Sequence, residues 1–213
     1  MNPPESERYD ADFDARAATW DDDPAKVERA RGIADAIVRE ASPTASMHAL
    51  EYGAGTGLIG FMLRPHVAEL TLADVSDGML AVVRKKIAAT RDPHVHAIKL
   101  DLVTDPLPPQ RFDLVFSAMT LHHIADTAGI LRRFRAVLRE PGLLCVADLD
   151  REDGSFHGAG FDGHNGFDRN ELAAKARKAG FPDVRMSTAY EMQKEAAGKL
   201  RTYPIFLMVA STA

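Results

Sequence analysis

Hydrophobic residues recur along this chain with two different periods. Between Val27 and Val38 the apolar residues follow helical spacing, behind an acidic run and Pro24 that are typical of a helix start. From His48 onward the apolar positions alternate or form short runs, which is typical of strands. The pattern therefore predicts one amphipathic helix ending near Ala41, followed by a strand-rich region. Seven strands are predicted, at His48–Tyr52, Ala68–Ala73, Val95–Leu100, Phe112–Ser117, Leu143–Ala147, Val184–Ala189 and Tyr203–Ala210.

Helical patterns separate most of these strands. They cover Leu58–Arg64, Gly78–Ala89, Ala128–Leu138 and Arg169–Ala179. Strands that alternate with helices are typical of βαβ units, so we expect an α/β fold with a doubly wound, mainly parallel sheet and helices on both faces. The segment between the last two strands is too short for a crossover helix. The seven-stranded sheet should therefore contain six parallel strands and one antiparallel strand near an edge.

The composition excludes several classes of protein. The chain of 213 residues has a formal net charge of -5 and lacks the clustered basic face of a nucleic-acid binder. Its single cysteine, Cys145, excludes an internal disulfide framework, fits a reducing compartment, and lies in an apolar run that predicts a buried thiol. The first residues are polar and acidic, and no apolar run approaches the roughly 18 residues of a membrane span. We therefore expect a cytoplasmic protein without a nucleic-acid or membrane partner, whereas the oligomeric state is not indicated.

The strongest local motif is HALEYGAGTGLIG, in which a short strand leads into Gly53, Gly55 and Gly57 and then into a helix. Glycine permits positive φ and lets the backbone approach a ligand, and open α/β sheets bind ligands at this edge. Read from Gly55, the same glycines match the dinucleotide fingerprint G-x-G-x-x-G. The carboxylate of Glu51, however, would repel a pyrophosphate and suits a cationic ligand. The motif favours a cationic ligand, and a purely structural glycine turn is the alternative.

Two further carboxylates follow the next two strands. Asp74 lies about 20 residues beyond the glycines, where a carboxylate accepts hydrogen bonds from ribose hydroxyls. It could instead cap the following helix, although Ser76 and Asp77 are better placed for that role. Asp101 could accept a hydrogen bond from an adenine amino group or make a local turn. These positions predict a ligand that contains adenosine, without identifying it.

Five motifs in order, EYGAGTG, LADVSDGML, KLDL, FDLVFSAMTLHHI and LREPGLL, resemble the class I S-adenosylmethionine-dependent methyltransferases. The chain between Glu51 and Asp148 is most similar to their small-molecule, methyltransferase type 11/12-like branch. The resemblance implies a Rossmann-like fold, S-adenosylmethionine as cofactor, and in-line transfer of its methyl group to an O, N or C nucleophile of a small molecule, with S-adenosylhomocysteine as product. The cofactor-binding residues that it implies are Glu51, Gly53, Ala54, Gly55, Thr56, Gly57, Asp74, Val75, Met79, Asp101, Leu102, Ser117, Ala118 and Met119.

The chain departs from the family pattern in two places. Glycine is often doubled after the proline of the LREPGLL segment but is single here, and an Asn/Asp-Pro-Pro-Tyr/Phe signature is missing. The second departure argues against methylation of a nucleobase or an amide nitrogen.

The acceptor side is less well marked. The resemblance places His122 and His123 opposite the transferred methyl group, as an acceptor contact or base, with simple packing as the alternative. The glycine-rich loop from Asp150 to Gly166 and the aromatic N-terminal segment with Tyr9 and Phe13 are predicted to close over the ligands as mobile lids. For the N-terminal segment, a plain aromatic staple is the alternative. The acceptor or lid residues proposed on this basis are Trp20, Phe156, His157, Phe161 and His164. Histidine and aspartate spacing in so flexible a loop is not diagnostic of a metal site, so no metal is expected.

The expected organisation is one globular unit with two parts. Residues 1–45 form an N-terminal helical lid or cap segment, and residues 46–213 form the class I methyltransferase domain. Two other functions stay open on the sequence, namely a non-catalytic S-adenosylmethionine-binding protein and an NAD(P)-dependent oxidoreductase.

Overall fold

The computed structural model describes residues 13–158, 160–196 and 198–213. Its centre is a single seven-stranded sheet. The strands are β1 (His48–Tyr52), β2 (Glu69–Asp74), β3 (Val95–Lys99), β4 (Phe112–Ala118), β5 (Leu138–Leu149), β6 (Asp183–Ala196) and β7 (Lys199–Ser211). They lie in the order β3-β2-β1-β4-β5-β7-β6.

The strand directions confirm the predicted sheet. β1 to β5 pair in parallel, and β7 pairs antiparallel with both β5 and β6. β7 is therefore the one reversed strand, and β6 runs parallel to the first five. Because the chain leaves β1 on one side for β2 and later returns to its other side for β4, the strand order switches next to β1. A crevice for a ligand is expected at such a switch, at the carboxyl ends of the strands.

In the part of the chain that the structure describes, α-helices cover both faces of the sheet: α1 (Pro24–Ala41), α2 (Leu58–Leu63), α3 (Asp77–Thr90), α4 (Thr127–Val137) and α5 (Arg169–Lys178). One buried cluster joins apolar residues of α1 and α2 to the sheet, and a second joins those of α4 and α5 to its opposite face. Successive residues of β1 contribute alternately, with Ala49 in the first cluster and Leu50 in the second. This arrangement confirms the prediction of a Rossmann-like fold with helices on both faces.

The last two strands are longer than the sequence pattern suggested. The polar segment between the predicted strands extends both of them into a hairpin, in which Glu191 pairs with Pro204 and Ala196 with Lys199. Most positions along this part of β6 are exposed, and three consecutive residues from Gln193 to Glu195 all face solvent. The expected bounds followed the apolar residues, but a hairpin can continue past the core with polar side chains on both faces, because its hydrogen bonds join backbone groups.

Two expectations from composition can be checked against the fold. Cys145 is fully buried, and burial raises the pKa of its thiol to about 12, as expected for a structural cysteine. Within the described ranges, each helix is either too short or too polar to cross a membrane.

Candidate functional site

A cavity of about 820 Å³ opens at the carboxyl ends of β1, β2 and β4. The loops that follow these strands form its floor, one face of α1 forms a side wall, and residues of the N-terminal segment lie across it. The volume falls in the range of about 300–1,000 Å³ that is usual for small-molecule sites. The cavity is therefore the candidate site, at the switch in strand order where the fold predicts one.

The glycine loop after β1 has a backbone that favours glycine. Gly53, Gly55 and Gly57 have φ angles of 69°, 54° and 78°, in the left-handed region. A Cβ on Gly53 would overlap the side chain of Thr120, whereas a Cβ on Gly55 would meet no atom within 4 Å. At Gly53 the fold itself requires glycine. At Gly55 the side-chain direction points into open cavity, so the missing side chain leaves space for a ligand.

Glu51, the second-last residue of β1, is a buried carboxylate. Its side chain is 2% exposed and accepts a hydrogen bond from the backbone N–H of Gly60 at 3.0 Å, near the N-terminus of α2. Burial raises the pKa of Glu51 well above its usual range, and the nearby charge of Asp74 raises it further. A cationic group entering the cavity beside Glu51 would stabilise the ionised form that burial disfavours.

Asp74, at the end of β2, faces the glycine loop. Its two oxygens accept hydrogen bonds from the backbone N–H groups of Gly55 at 2.7 Å and Ser76 at 2.9 Å. Ser76 is the residue that caps α3, since its hydroxyl accepts from the N–H of Met79. The alternative that Asp74 is the helix cap therefore does not apply. Each carboxylate oxygen can accept a second hydrogen bond, so Asp74 can hold the loop and still receive donors from a ligand.

Asp101 lies beyond the observed end of β3 and is engaged in a local turn. One oxygen accepts from the N–H of Val103 at 2.8 Å, and the other accepts from the hydroxyl of Thr104 at 2.8 Å. The residue lines the cavity. Of the two interpretations of Asp101 offered by the sequence, the local turn is present in the structure, and the adenine contact stays a prediction.

A basic face of α1 also reaches the cavity, and sequence reasoning missed it. Lys26, Arg29, Ala30 and Ile33 have the i, i+3, i+4, i+7 spacing of one helix face, and all four line the cavity. Burial lowers the pKa of Arg29, and its guanidinium contacts the sulfur of Met192 at 3.3 Å. A thioether is a weak acceptor for a group with five N–H donors. The available signal was an arginine on the apolar face of a predicted amphipathic helix.

His122 and His123 occupy different environments in the short 3-10 turn after β4. His122 is buried and shares two contacts with the fully buried Asp148: the backbone N–H donates to one oxygen at 3.1 Å, and Nδ1 lies 2.7 Å from the other. His123 lines the cavity. Burial lowers the pKa of His123 to about 4, with His122 and His157 as further causes, so His123 is neutral near pH 7. Only His123 of this pair can touch a ligand in the cavity.

The glycine-rich loop after β5 lies behind His123. The ring of His157 stacks on that of Phe161 with centroids 3.7 Å apart, and Phe161 meets His123 edge-on at 5.6 Å. His164 instead anchors the loop, because its Nε2 lies within hydrogen-bonding distance of Thr127 Oγ1 and of the Ile124 carbonyl. The loop therefore supports the wall that carries His123, and none of the four proposed loop residues lines the cavity in this conformation.

The described part of the N-terminal segment lies across the cavity opening. Phe13 packs against His123 with centroids 5.7 Å apart and against Trp20 at 5.8 Å, and both aromatic residues line the cavity. Asp21 accepts a hydrogen bond from the hydroxyl of Thr56 and pairs with Lys86 at 2.6 Å. Tyr9 is outside the described residues. The segment thus contacts both the glycine loop and the histidine wall, although its role as a lid stays a prediction, as does the division of the chain at residue 45.

The structure brings most of the predicted cofactor residues together. Gly57, Leu102 and Ser117 are buried and do not line the cavity. The predicted cofactor residues on the cavity wall are Glu51, Gly53, Ala54, Gly55, Thr56, Asp74, Val75, Met79, Asp101, Ala118 and Met119. Sequence reasoning did not include Thr120, which lines the cavity. It also did not include the buried Asp148. A carboxylate in an apolar strand, two residues before the glycine-rich loop, was the signal that could have identified Asp148.

The matches to known proteins agree with this geometry. Residues 50–144 match the family model described as a methyltransferase domain. An uncharacterized methyltransferase of Schizosaccharomyces pombe is 32% identical over 119 residues, which cover 53% of this chain and 42% of that protein. A malonyl-[acyl-carrier protein] O-methyltransferase of Halorhodospira halophila is 28% identical over 199 residues, covering 86% of this chain and 66% of that protein. The chain thus spans less than two thirds of the length of these relatives.

The fold also has close counterparts among solved structures. A chain from the complex between the Haloferax volcanii Trm112 methyltransferase activator and a methyltransferase superposes with a TM-score of 0.73 at 18% identity. The superposition covers 94% of this chain and 97% of that chain. The likeness establishes the shared fold.

Proposed function

We propose that this chain is a class I S-adenosylmethionine-dependent methyltransferase, a proposal supported by its match to a methyltransferase domain and its similarity to methyltransferases. In this proposal the cavity binds S-adenosylmethionine and presents the methyl group to an O, N or C nucleophile of a small molecule. The observation that carries the proposal is the arrangement of Glu51, Gly55 and Asp74. Two carboxylates flank a loop whose central glycine opens into empty cavity. That arrangement suits a cationic ligand that contains a ribose.

Each part of this ligand has a chemical counterpart on the cavity wall. Asp74 can accept hydrogen bonds from the ribose hydroxyls while it holds the N–H of Gly55. Glu51 supplies negative charge for the ammonium and sulfonium groups. Arg29, half-buried on the α1 face, can donate to the carboxylate of the methionine part. A pyrophosphate, by contrast, would be repelled by the carboxylate of Glu51, which argues against a nicotinamide dinucleotide.

On the acceptor side, we propose that the protein promotes methyl transfer mainly by positioning the acceptor and less by removing a proton from it. The cofactor, when bound, supplies an electrophilic methyl group on a good leaving group. The protein then has to align the nucleophile with it and exclude water. His123 lies on the wall between the floor of the cavity and Phe13. A histidine whose pKa is about 4 is a weak general base at neutral pH, so we assign His123 as an acceptor contact.

Calorimetry with three ligands tests the proposal. S-adenosylhomocysteine carries ribose, adenine and the amino-acid carboxylate, 5′-methylthioadenosine lacks the amino-acid part, and NAD carries a pyrophosphate. We expect S-adenosylhomocysteine to bind most tightly. Asp74→Asn should weaken binding of S-adenosylhomocysteine and methylthioadenosine alike, by about 1–3 kcal/mol, because a charged acceptor is lost.

Arg29→Met gives the sharper test, because it should act on one ligand only. Loss of a charged hydrogen bond costs about 1.5–3 kcal/mol, so S-adenosylhomocysteine should lose roughly 10- to 150-fold in affinity while methylthioadenosine keeps its own. Arg31→Met is the matched control, since Arg31 is exposed on the same helix and does not line the cavity. Tighter binding of NAD than of S-adenosylhomocysteine would contradict the proposal. Tight cofactor binding without turnover in a broad acceptor screen would favour a non-catalytic S-adenosylmethionine-binding protein.

A further inference from the structure

Three imidazole rings converge behind the cavity wall. His122 and His123 come from the turn after β4, and His157 comes from the loop after β5. One ring nitrogen from each lies within 4.8 Å of the other two. The ring centroid of His122 is 4.2 Å from that of His123 and 4.9 Å from that of His157. Three imidazole nitrogens from two separate loops therefore form a set of ligands that a single metal ion can bind.

The buried carboxylate of Asp148 orients one of these rings. Its Oδ1 lies 2.7 Å from Nδ1 of His122, and both side chains are almost completely buried. With Nδ1 donating to the carboxylate, Nε2 of His122 keeps its lone pair and is available as a ligand. Carboxylate–histidine pairs of this kind are the usual outer shell of a bound metal, because they fix the tautomer and raise the basicity of the ligating nitrogen. The methyl-transfer proposal gives Asp148 no role.

His157 provides a second, independent observation. Its Nδ1 is buried and has no hydrogen-bond partner among the described residues. A buried polar atom without a partner costs stability unless something satisfies it. The ring is held in place by stacking on Phe161 with an interplanar angle of 14°. The fold therefore holds His157 beside the other two histidines, although none of the described residues forms a hydrogen bond with its buried Nδ1.

The geometry points to a metal site in which His122, His123 and His157 bind one late first-row divalent ion, Zn²⁺ being the simplest occupant, with Asp148 as the outer-shell partner of His122. Imidazole ligands suit zinc, iron, nickel and copper. Three histidines leave a fourth coordination position open, as in catalytic zinc sites. Because His123 lines the cavity, this position would be reached from the acceptor side. Binding of a metal ion by these three histidines does not depend on the proposed methyl transfer.

The adjustment needed to bind an ion is small. Ligands at about 2.0–2.1 Å from a tetrahedral ion are about 3.4 Å apart, so the most distant pair of nitrogens would approach by about 1.4 Å at most. Gly158 follows His157 directly, has a φ of 88°, and meets no atom within 4 Å of an added Cβ. The loop beside the histidine therefore has room to shift.

A second histidine group on the surface provides a control. His94 and His96 both contact the carboxylate of Glu69, at 2.8 and 3.0 Å, and both are about half exposed. This group could bind added metal weakly and confuse the measurement. The variant His94→Ala/His96→Ala removes it without touching the buried cluster.

The test uses the full chain, purified without a histidine tag. Metal content is measured by mass spectrometry, Zn²⁺ affinity by calorimetry, and Co²⁺ binding by the visible absorption of low-coordinate cobalt. We expect one equivalent of Zn²⁺ to bind the wild-type chain and the His94→Ala/His96→Ala variant equally. His157→Gln and His123→Asn should weaken binding at least about tenfold, and Asp148→Asn by about 10- to 100-fold. His157→Gln is the more secure variant, because it lies on a loop and leaves the buried pair intact.

The outcomes separate the possible explanations. Binding that disappears only in the surface double variant would assign the metal to Glu69 and overturn the inference, as would the absence of Zn²⁺ and Co²⁺ binding by the wild-type chain. Circular dichroism checks that each variant is folded. Calorimetry with S-adenosylhomocysteine on the same samples reports separately on the cofactor site, so failure of the metal site and failure of the proposed function are distinguishable.

Discussion

Substitution of Gly55 by alanine tests whether this position is a glycine because a ligand needs the space or because the fold requires it. The residue has a φ of 54°, and an added Cβ would meet no protein atom within 4 Å. Gly198, in the turn between β6 and β7, is a matched position, because its φ is 72° and an added Cβ would also meet nothing within 4 Å. Gly198 does not line the cavity. The two alanine variants therefore carry the same kind of backbone cost and differ in where the methyl group points.

The magnitudes follow from these two observations. A residue with a Cβ in the left-handed region costs roughly 1–2 kcal/mol, which lowers the melting temperature of a chain this long by about 2–8 °C. Both variants should show this loss. In Gly55→Ala the methyl group also occupies space that the ligand needs, and overpacking costs about 1–3 kcal/mol. The affinity for S-adenosylhomocysteine should therefore fall by about 5- to 150-fold, whereas Gly198→Ala should bind as the wild type does.

Thermal unfolding and calorimetry on the two variants decide the matter. Similar melting temperatures combined with a selective loss of binding in Gly55→Ala would agree with a ligand against the loop. Unchanged affinity in Gly55→Ala would refute the reasoning, since the glycine loop would then be structural and the ligand would lie elsewhere. A much larger drop in melting temperature for Gly55→Ala than for Gly198→Ala would mean that the loop tolerates the methyl group less well than the open space around Gly55 indicates.

Three further predictions follow from the contacts of the site. Burial and the charge of Asp74 raise the pKa of Glu51 in the folded protein. The contribution of Glu51 to stability is therefore present below its unfolded pKa and is lost as the pH rises through its folded pKa. Glu51→Gln should raise the melting temperature of the ligand-free protein more at pH 8 than at pH 4, and it should weaken cofactor binding. An equal change at both pH values would show that Glu51 titrates normally. Asp148→Asn should lower the free energy of unfolding by about 1.5–3 kcal/mol in chemical unfolding, because the buried hydrogen bond between the carboxylate and His122 is weakened, and a loss below about 0.5 kcal/mol would argue against that hydrogen bond. Hydrogen exchange should show added protection of the glycine loop on binding of S-adenosylhomocysteine, followed by residues 13–22 once an acceptor is present; full protection of residues 13–22 without ligands would argue against a lid.

Most of the regular secondary structure could be predicted from the sequence. Strand and helix periods are local, so β1 to β4 and the helices α1 to α5 were predicted within about one residue of their observed bounds. The strand β5 begins at Leu138, five residues before its predicted start at Leu143. The extension of β6 and β7 was missed because polar residues such as Lys194 and Arg201 are paired through their backbones. An apolar pattern marks where a strand is buried, and it is silent where a hairpin continues into solvent.

The cofactor side of the site could be predicted for a related reason. In a parallel sheet the carboxyl ends of neighbouring strands lie at one edge, so residues just after β1 and β2, such as Gly55 and Asp74, come together whatever the rest of the chain does. Arg29 and Asp148 were missed because their placement depends on tertiary packing. Arg29 reaches the cavity only once α1 has docked on the sheet, and Asp148 is significant only because His122 is opposite it.

The N-terminal segment connects the two halves of the cavity. Asp21 is bonded to Thr56 in the glycine loop and to Lys86 on α3, while Phe13 packs on His123 at the opposite wall. Since the same short segment contacts both walls, it cannot leave one without disturbing the other. A ligand that enters the cavity has to displace these contacts or slip beneath them, so the order in which cofactor and acceptor bind should depend on the segment. We therefore expect the glycine loop to contact the cofactor and residues 13–22 to control access to the acceptor.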